Sequence, residues 1–554
     1  MTYISPRPPR VKQREASDAM RGHEVFALLM EMRTGKSKPI IDEFGASVLD
    51  ETFTDLLVIA PAGAYRTWAR EIPKDLPQEV LQRTLMHVWD GSKAKSKAAG
   101  RALIHFLGYT GPRILLMNVE ALSQVLAARN LCLEYGSQRP GRNVAVVDES
   151  VTIKNPEAEC SLFIVKKLSP LFARRRILTG LITPRSPLDV YSQFKFLDTN
   201  ILGFDKFSLF SARYARTKQV CMLPQEVVQR KFRDAVGMSA GLSDDAIRRR
   251  IVAIMPDLNL DGMGRRDLVQ TLSMSADCAK RDSMIDAILR MGQYIQTVPV
   301  VEGYENVDEI HQKIAPHSFR VRLSDCYDMP KSDYSFRDVE MSDEQRRIYR
   351  EIREFATAKL SGEAHVTSTH VITQILRLHQ VLCGFTRDDD GAIHEIPERR
   401  TAALLDLLND YGGKAIVWCS YDLNVRKVSK ALEREFGEGS VARFWGGNIK
   451  TREEEELLFK ERDEVRWMVA TPDAGRYSRT WDMADLTVFY SSKNNLDHRD
   501  QAESRVKNEG KMRMNSYVDL RVPDTVEGKF ISALREKINM ATAINGDNWR
   551  EWLI

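Results

Sequence analysis

Val144-Ala145-Val146-Val147-Asp148-Glu149 sets an unbroken apolar run against two adjacent carboxylates. A run of this kind suits a strand covered on both faces, as in a parallel sheet with helices on either side. Leu56-Leu57-Val58-Ile59-Ala60, Ile114-Leu115-Leu116-Met117 and Ile177-Leu178 repeat the pattern. Amphipathic stretches lie between them, the alternation expected of a doubly wound α/β domain. The pattern returns late in the chain at Lys414-Ala415-Ile416-Val417-Trp418, Val465-Arg466-Trp467-Met468-Val469 and Leu486-Thr487-Val488-Phe489-Tyr490.

The chain has 554 residues. Single cores stop growing near roughly 250–300 residues, so at least two domains are expected. Residues 1–215 read as one α/β lobe and 396–554 as a second, two lobes facing one cleft. Residues 216–300 read as a helical insertion, because Asp244 to Met255 and Ser273 to Tyr294 have helical spacing and no buried-strand run interrupts them. Residues 301–395 read as a connector, with a strand near His317-Ser318-Phe319-Arg320-Val321 and long helices after Ser342.

Apolar residues make up 43% of the chain, enough for sizeable cores. A net charge of +4 permits a nucleic-acid partner without arguing for one. The seven cysteines are scattered with no Cys-x-x-Cys pair, which argues against a zinc site or a disulfide framework and suits a reducing compartment. Met1 to Arg14 lacks the apolar segment of a secretory signal. No apolar run reaches the roughly 18 residues that a membrane span needs. A cytoplasmic protein is expected. The ten histidines show no metal-ligand spacing, and no Gly-x-Ser-x-Gly pattern suggests covalent catalysis.

Thr34-Gly35-Lys36-Ser37 carries the first candidate chemistry. Glycine lets backbone N–H groups approach a polyphosphate, lysine neutralises its β and γ oxygens, and the serine hydroxyl can ligate Mg²⁺. Met30 stands where the full phosphate-loop pattern has its first glycine, so an ordinary Gly-Lys-Ser turn is the other reading. Asp148 and Glu149 carry the second. At the end of a buried strand, Asp148 would hold Mg²⁺ and Glu149 would polarise an attacking water. An exposed acidic turn is the plain alternative.

In order and spacing these stretches resemble the Swi/Snf-type branch of the superfamily 2 helicases, particularly its compact phage versions. Lys12-Gln13 is similar to the upstream glutamine motif, Glu31 to Ser37 to motif I, and Val58 to Ile72 to motif Ia. Leu115 to Leu122 is similar to motif Ib, and Asp148-Glu149-Ser150 with Lys154-Asn155-Pro156 to motif II. Leu178-Thr179-Gly180, with Ser186 to Tyr191, resembles motif III and its sequel. In the second half Lys414 to Tyr421 resembles motif IV, Ala470-Thr471-Pro472 through Trp481 motif V, and Gln501-Ala502-Glu503-Ser504-Arg505 motif VI. The resemblance covers most of the chain outside about 216–300.

The resemblance implies two RecA-like lobes with parallel sheets around an interlobe cleft. It implies ATP held by Gln13, Thr34, Gly35, Lys36, Ser37 and Gln501, with Mg²⁺ on Ser37 and Asp148. Hydrolysis would use Lys36, Asp148, Glu149 and an arginine finger, Arg505. The implied track is DNA, duplex or branched, in the host cytoplasm if the origin is a phage. Several positions depart from the family. Val151 replaces a motif II histidine, Leu181-Ile182 the Thr-Pro of motif III, and Ser478 a motif V glycine. Asn508 stands where motif VI has its second arginine. Two functions follow: a DNA-dependent ATPase motor, or a degenerate relative that clamps ATP and DNA with little hydrolysis.

Other stretches invite comment. Asp257-Leu258-Asn259-Leu260-Asp261-Gly262 opens like a calcium loop but has Leu268 where the bidentate glutamate belongs, so it reads as a polar turn. Lys93 to Lys97 and Arg248-Arg249-Arg250 are basic and suit either phosphate contact or a solvated face. Trp68, Trp418 and Trp481 read as packing residues.

Overall fold

The computed structural model describes residues 3–91, 96–222, 296–327, 332–361, 368–387, 392–472, 474, 480–492, 496–507, 511 and 513–528. The calcium-like turn, Arg248 to Arg250, most of Lys93 to Lys97, Ser478 and Asn508 lie outside them. Two units emerge: Met1–Ala215 with Tyr304–Ser342 and Glu398–Ile554, and Arg216–Gly303 with Asp343–Pro397.

The first unit holds two α/β lobes, as expected. The sheet of the first lobe comprises β1 (Val25–Met30), β2 (Asp55–Ala60), β3 (Leu85–Val88), β4 (Arg113–Asn118), β5 (Asn143–Asp148), β6 (Arg174–Leu178) and β7 (Ser318–Val321). Its order is β3-β4-β2-β5-β6-β1-β7, and every pairing is parallel. The apolar runs are buried on both faces. In β2, Leu57 and Ile59 join one core while Leu56, Val58 and Ala60 join the core on the opposite face. Period-two side-chain alternation requires this of a strand between two helical layers. The outermost strand, β7, comes from the segment read as connector and lies parallel to β1, with Ala27 opposite Ser318 and Met30 opposite Val321.

The sheet of the second lobe comprises β8 (Asp333–Asp338), β9 (Lys414–Trp418), β10 (Val441–Phe444), β11 (Trp467–Ala470), β12 (Ala484–Phe489) and β13 (Ser516–Arg521). Its order is β8-β13-β12-β9-β11-β10, again wholly parallel. In β9, Ala415 and Val417 face one core, and Ile416 and Trp418 the other.

In the second unit, the segment read as a helical insertion is bounded by strands: Ala215–Met222 and Gln296–Tyr304 form a two-stranded sheet. After Ser342 come helices Asp343–Ser361 and Ser368–Leu382, then an antiparallel pair, Phe385–Arg387 with Ile393–Glu395. Among the described residues no helix is long and apolar enough to cross a membrane.

Candidate nucleotide site

Ligand sites in open parallel sheets form at the C-terminal ends of the strands. In the first lobe β1 leads into Glu31 to Lys36, β5 ends at Asp148, and β6 leads into Thr179-Gly180. The loop after β1 turns sharply. Arg33 and Gly35 have φ of 70° and 78°, and Thr34 Oγ1 donates to the Glu31 carbonyl at 2.7 Å. Left-handed residues in such a turn aim successive N–H groups to one side, a nest for anions. Lys36 caps the helix Ser37–Leu49, whose N-terminus adds partial positive charge at the same place.

Gln13, on the helix Val11–Met20, is buried behind this loop. Its Nε2 donates to the carbonyls of Thr34 and Gly35 at 3.3 and 3.2 Å, and its Oε1 accepts from Arg10 N at 3.0 Å. Its amide nitrogen is thus spent on loop backbone, and its amide oxygen on the start of its own helix. A Cβ on Gly35 would lie 2.1 Å from Gln13 Nε2, so a larger residue would have to displace that side-chain end, and the φ of 78° itself favours glycine. Gly180 packs on the same loop, where a Cβ would meet Glu31 Cα at 3.3 Å.

Lys36 Nζ forms a hydrogen-bonded ion pair with Glu149 Oε1 and lies 3.9 Å from Asp148 Oδ1. Burial alone would push the Lys36 pKa down. The facing carboxylates of Glu149 and Asp148 overturn that and hold it above the ordinary lysine value. Asp148 is fixed on both oxygens, Oδ2 by the Trp68 indole N–H at 2.9 Å and Oδ1 by the Glu149 N–H at 3.0 Å. Glu149 itself sits at φ 50°, heading the 3₁₀ turn Ser150–Ile153. Ser37 opens the phosphate-loop helix and is half-buried. Ser37 and Asp148 offer hard oxygen donors, the set that suits Mg²⁺.

Residues given no role at this site from sequence complete the arrangement. Trp68, read there only as packing, is also the donor that orients Asp148. Gln193 is wholly buried and joins motif II to motif III: it accepts from Ser150 Oγ at 2.6 Å and donates to the Ile182 carbonyl at 2.8 Å. Neither contact leaves a local sequence signal. Val151 is packed in the interior.

From the second lobe, the helix Leu496–Glu503 carries Gln501, and Arg505 follows it; both are buried. Arg499 anchors this helix to β13 through Asp519, at 2.6 Å, and lies 3.5 Å over the Phe489 ring. Ser504 Oγ approaches Met32 Sδ at 3.1 Å, and the Arg505 carbonyl accepts from Arg33 Nη2 at 2.9 Å. The phosphate loop and the Arg505 segment therefore touch.

Residues 22–385, about two thirds of the chain, match the family model described as the SNF2-related domain. Among solved structures, the Sulfolobus solfataricus SWI2/SNF2 ATPase core in complex with dsDNA is similar at 16% identity, covering 100% of this chain and 97% of that one, with a TM-score of 0.36. No curated protein matches the sequence. The extent of the family match, on a chain of two parallel α/β lobes, places this protein in the SNF2-related domain family.

Proposed function

We propose that the chain is an ATP-hydrolysing motor that moves along or remodels DNA, duplex or branched. One observation supports this above the others. Lys36, Asp148 and Glu149 meet at the C-terminal edge of the first sheet, and the loop bearing Lys36 touches Ser504 and Arg505 of the second lobe. ATP would enter with its phosphates on the N–H groups of residues 34–37. Lys36 would exchange Glu149 for phosphate oxygen, leaving Glu149 to accept a proton from the attacking water. Ser37 and Asp148 would hold Mg²⁺, which when bound supplies charge neutralisation to the phosphates. Arg505 would meet the charge that builds on the transferring group. The lobes at 1–215 and 396–554 would act as the two jaws, with the 216–300 insertion tuning substrate choice. DNA as the track rests on family membership rather than on the net charge of +4.

The test is the ATPase rate of the wild type and of Glu149→Gln, each without nucleic acid and with duplex DNA, forked DNA, single strands or RNA. Stimulation of the wild type by duplex or forked DNA, with Glu149→Gln silent, is expected. Equal background rates in both proteins, together with retained ATP and DNA binding, would sink the motor and leave the clamp.

A further inference from the structure

Arg33 makes the contact between the loop and Arg505, and it is expensive to place. Its φ of 70° is a backbone region where a bulky L-residue costs about 1–2 kcal/mol. Its side chain is half-buried. Burial lowers its pKa to about 10, against the opposing field of Asp482. The guanidinium nonetheless reaches the Arg505 main-chain carbonyl, 2.9 Å from Nη2. That carbonyl also accepts the Trp481 N–H at 2.9 Å. The neighbouring pair, Met32 Sδ and Ser504 Oγ, lies at 3.1 Å. Two consecutive loop residues thus meet two consecutive residues beyond the helix Leu496–Glu503, and the Arg505 backbone is held by one donor from each lobe.

We propose that Arg33 is a positioning residue: it fixes the main chain at Arg505 to the phosphate loop, so that a change of loop conformation is delivered to Arg505 as a displacement. The inference rests on reading Arg505 as the group that meets transition-state charge. Its physical basis is directional. The φ of Arg33 sets the direction in which its side chain leaves the backbone, and φ belongs to the same turn that would cradle the phosphates. A polyphosphate that reshapes the turn would move the root of this side chain, and the hydrogen bond at its end would carry the shift to the Arg505 carbonyl.

The deciding variant is Arg33→Gly, which keeps the left-handed turn and removes the side chain that carries the guanidinium. In the full-length protein with saturating DNA, it is expected to lower kcat at least tenfold while the KM for ATP changes less than about threefold, the pattern of an interaction made only in the transition state. In an Arg505→Ala background the same substitution is expected to cost nothing further, because Arg33 acts through Arg505. Additive losses, or a wild-type kcat in Arg33→Gly, would overturn the proposal. If the wild type and Arg505→Ala turn over ATP at the same background rate, the motor reading fails and the contact itself is still measured by amide hydrogen exchange. Arg33→Gly is expected to speed exchange at the Trp481 amide at least tenfold, and unchanged protection there would overturn the proposal independently of hydrolysis.

Discussion

Lys36 Nζ and Glu149 Oε1 are joined as an ion pair, the cation of the phosphate loop against the carboxylate at the end of β5. Each group therefore restrains the other, and on the proposed function phosphate would replace Glu149. Removing either should separate binding from turnover. Glu149→Gln keeps the shape but not the basicity, and a lost general base typically costs 10²–10⁴ in rate. The ATPase rate is expected to fall by about 10² or more, with ATP affinity equal to or tighter than the wild type. Lys36→Ala should instead weaken ATP binding about tenfold to a hundredfold, the worth of a charge-assisted hydrogen bond of ~1.5–3 kcal/mol. Equilibrium binding of a labelled nucleotide, run beside the ATPase assay, checks both. Equal loss of affinity in the two variants would contradict the assignment.

Gly35→Ala should damage the loop in two separable ways. At φ 78° the new methyl brings about 1–2 kcal/mol of backbone strain. It would also lie 2.1 Å from Gln13 Nε2. The double variant Gly35→Ala/Gln13→Ala removes the clash and keeps the strain. Urea unfolding is expected to show the single variant clearly destabilised and the double variant less so than the sum of the two single changes. Strict additivity would mean that Gln13 does not press on the loop.

Trp68→Phe tests the support under Asp148. Phenylalanine fills most of the apolar site but leaves Asp148 Oδ2 without its 2.9 Å donor. A buried acceptor left unsatisfied costs about 1–3 kcal/mol. The expected consequence for function is misorientation of the carboxylate proposed to hold Mg²⁺. The Mg²⁺ concentration for half-maximal ATPase activity should rise severalfold, at unchanged response to DNA. A loss of melting temperature with an unaltered Mg²⁺ requirement would make Trp68 a packing residue alone.

Part of this was legible in the sequence, for identifiable reasons. Strands such as β2 and β5 announce themselves because burial on both faces forces continuous Leu, Val and Ile. Strand β1 does not, since Ala27-Leu28-Leu29-Met30 consists of residues that favour helices, and only its place between β6 and β7 makes it a strand. The strand at Ser318–Val321 can be read locally, but its partner β1 lies nearly 300 residues earlier, and no local pattern carries that pairing. The same division holds at the site. Lys36 and the Asp148-Glu149 pair can be named as candidates because their chemistry requires adjacent residues in a fixed order. The Trp68 donation to Asp148, the Gln193 bridge and the Arg33 contact join residues 80, 43 and 472 positions from their partners. Such contacts exist only once the sheets have assembled.

In the second lobe a buried carboxylate ties down the start of the helix Arg400–Asn409. Glu398 accepts from Thr401 N at 2.8 Å and pairs with Lys427 at 2.8 Å, with its side chain only 2% exposed. Burial alone would raise its pKa. The Lys427 ammonium and the Thr401 donors outweigh burial and hold it below the usual glutamate value. A carboxylate whose folded pKa is depressed stabilises fully above its unfolded value of about 4.3, and the contribution fades as pH falls through the folded value. Glu398→Gln is therefore expected to be less stable than the wild type by about 1–3 kcal/mol at pH 7. The gap should close progressively below about pH 4. Urea titrations of both proteins at several pH values provide the check, and a gap that widens on acidification would reverse the sign of the argument.

At the opposite edge of the first lobe from the site, Asp55 and Arg113 form a fully buried pair where β2 and β4 begin. Asp55 also accepts from Arg139 at 3.0 Å, while Arg113 donates to the Leu107 carbonyl at 2.8 Å and lies 4.9 Å over the Tyr135 ring. Breaking a buried pair from one side costs about 3–5 kcal/mol, because the remaining charge has neither water nor partner. Asp55→Ala is expected to reach that range, since it takes the counter-charge from two guanidinium groups, Arg113 fully buried and Arg139 partly exposed. Asp55→Ala/Arg113→Met should cost less than Asp55→Ala alone, because the more deeply buried of those charges leaves with its partner. The ATP affinity of whatever fraction stays folded should be unchanged, for the pair sits at the N-terminal ends of strands whose C-terminal ends carry the site. A double variant less stable than Asp55→Ala would show that the Arg113 contacts with Leu107 and Tyr135, rather than its charge balance, hold this edge together.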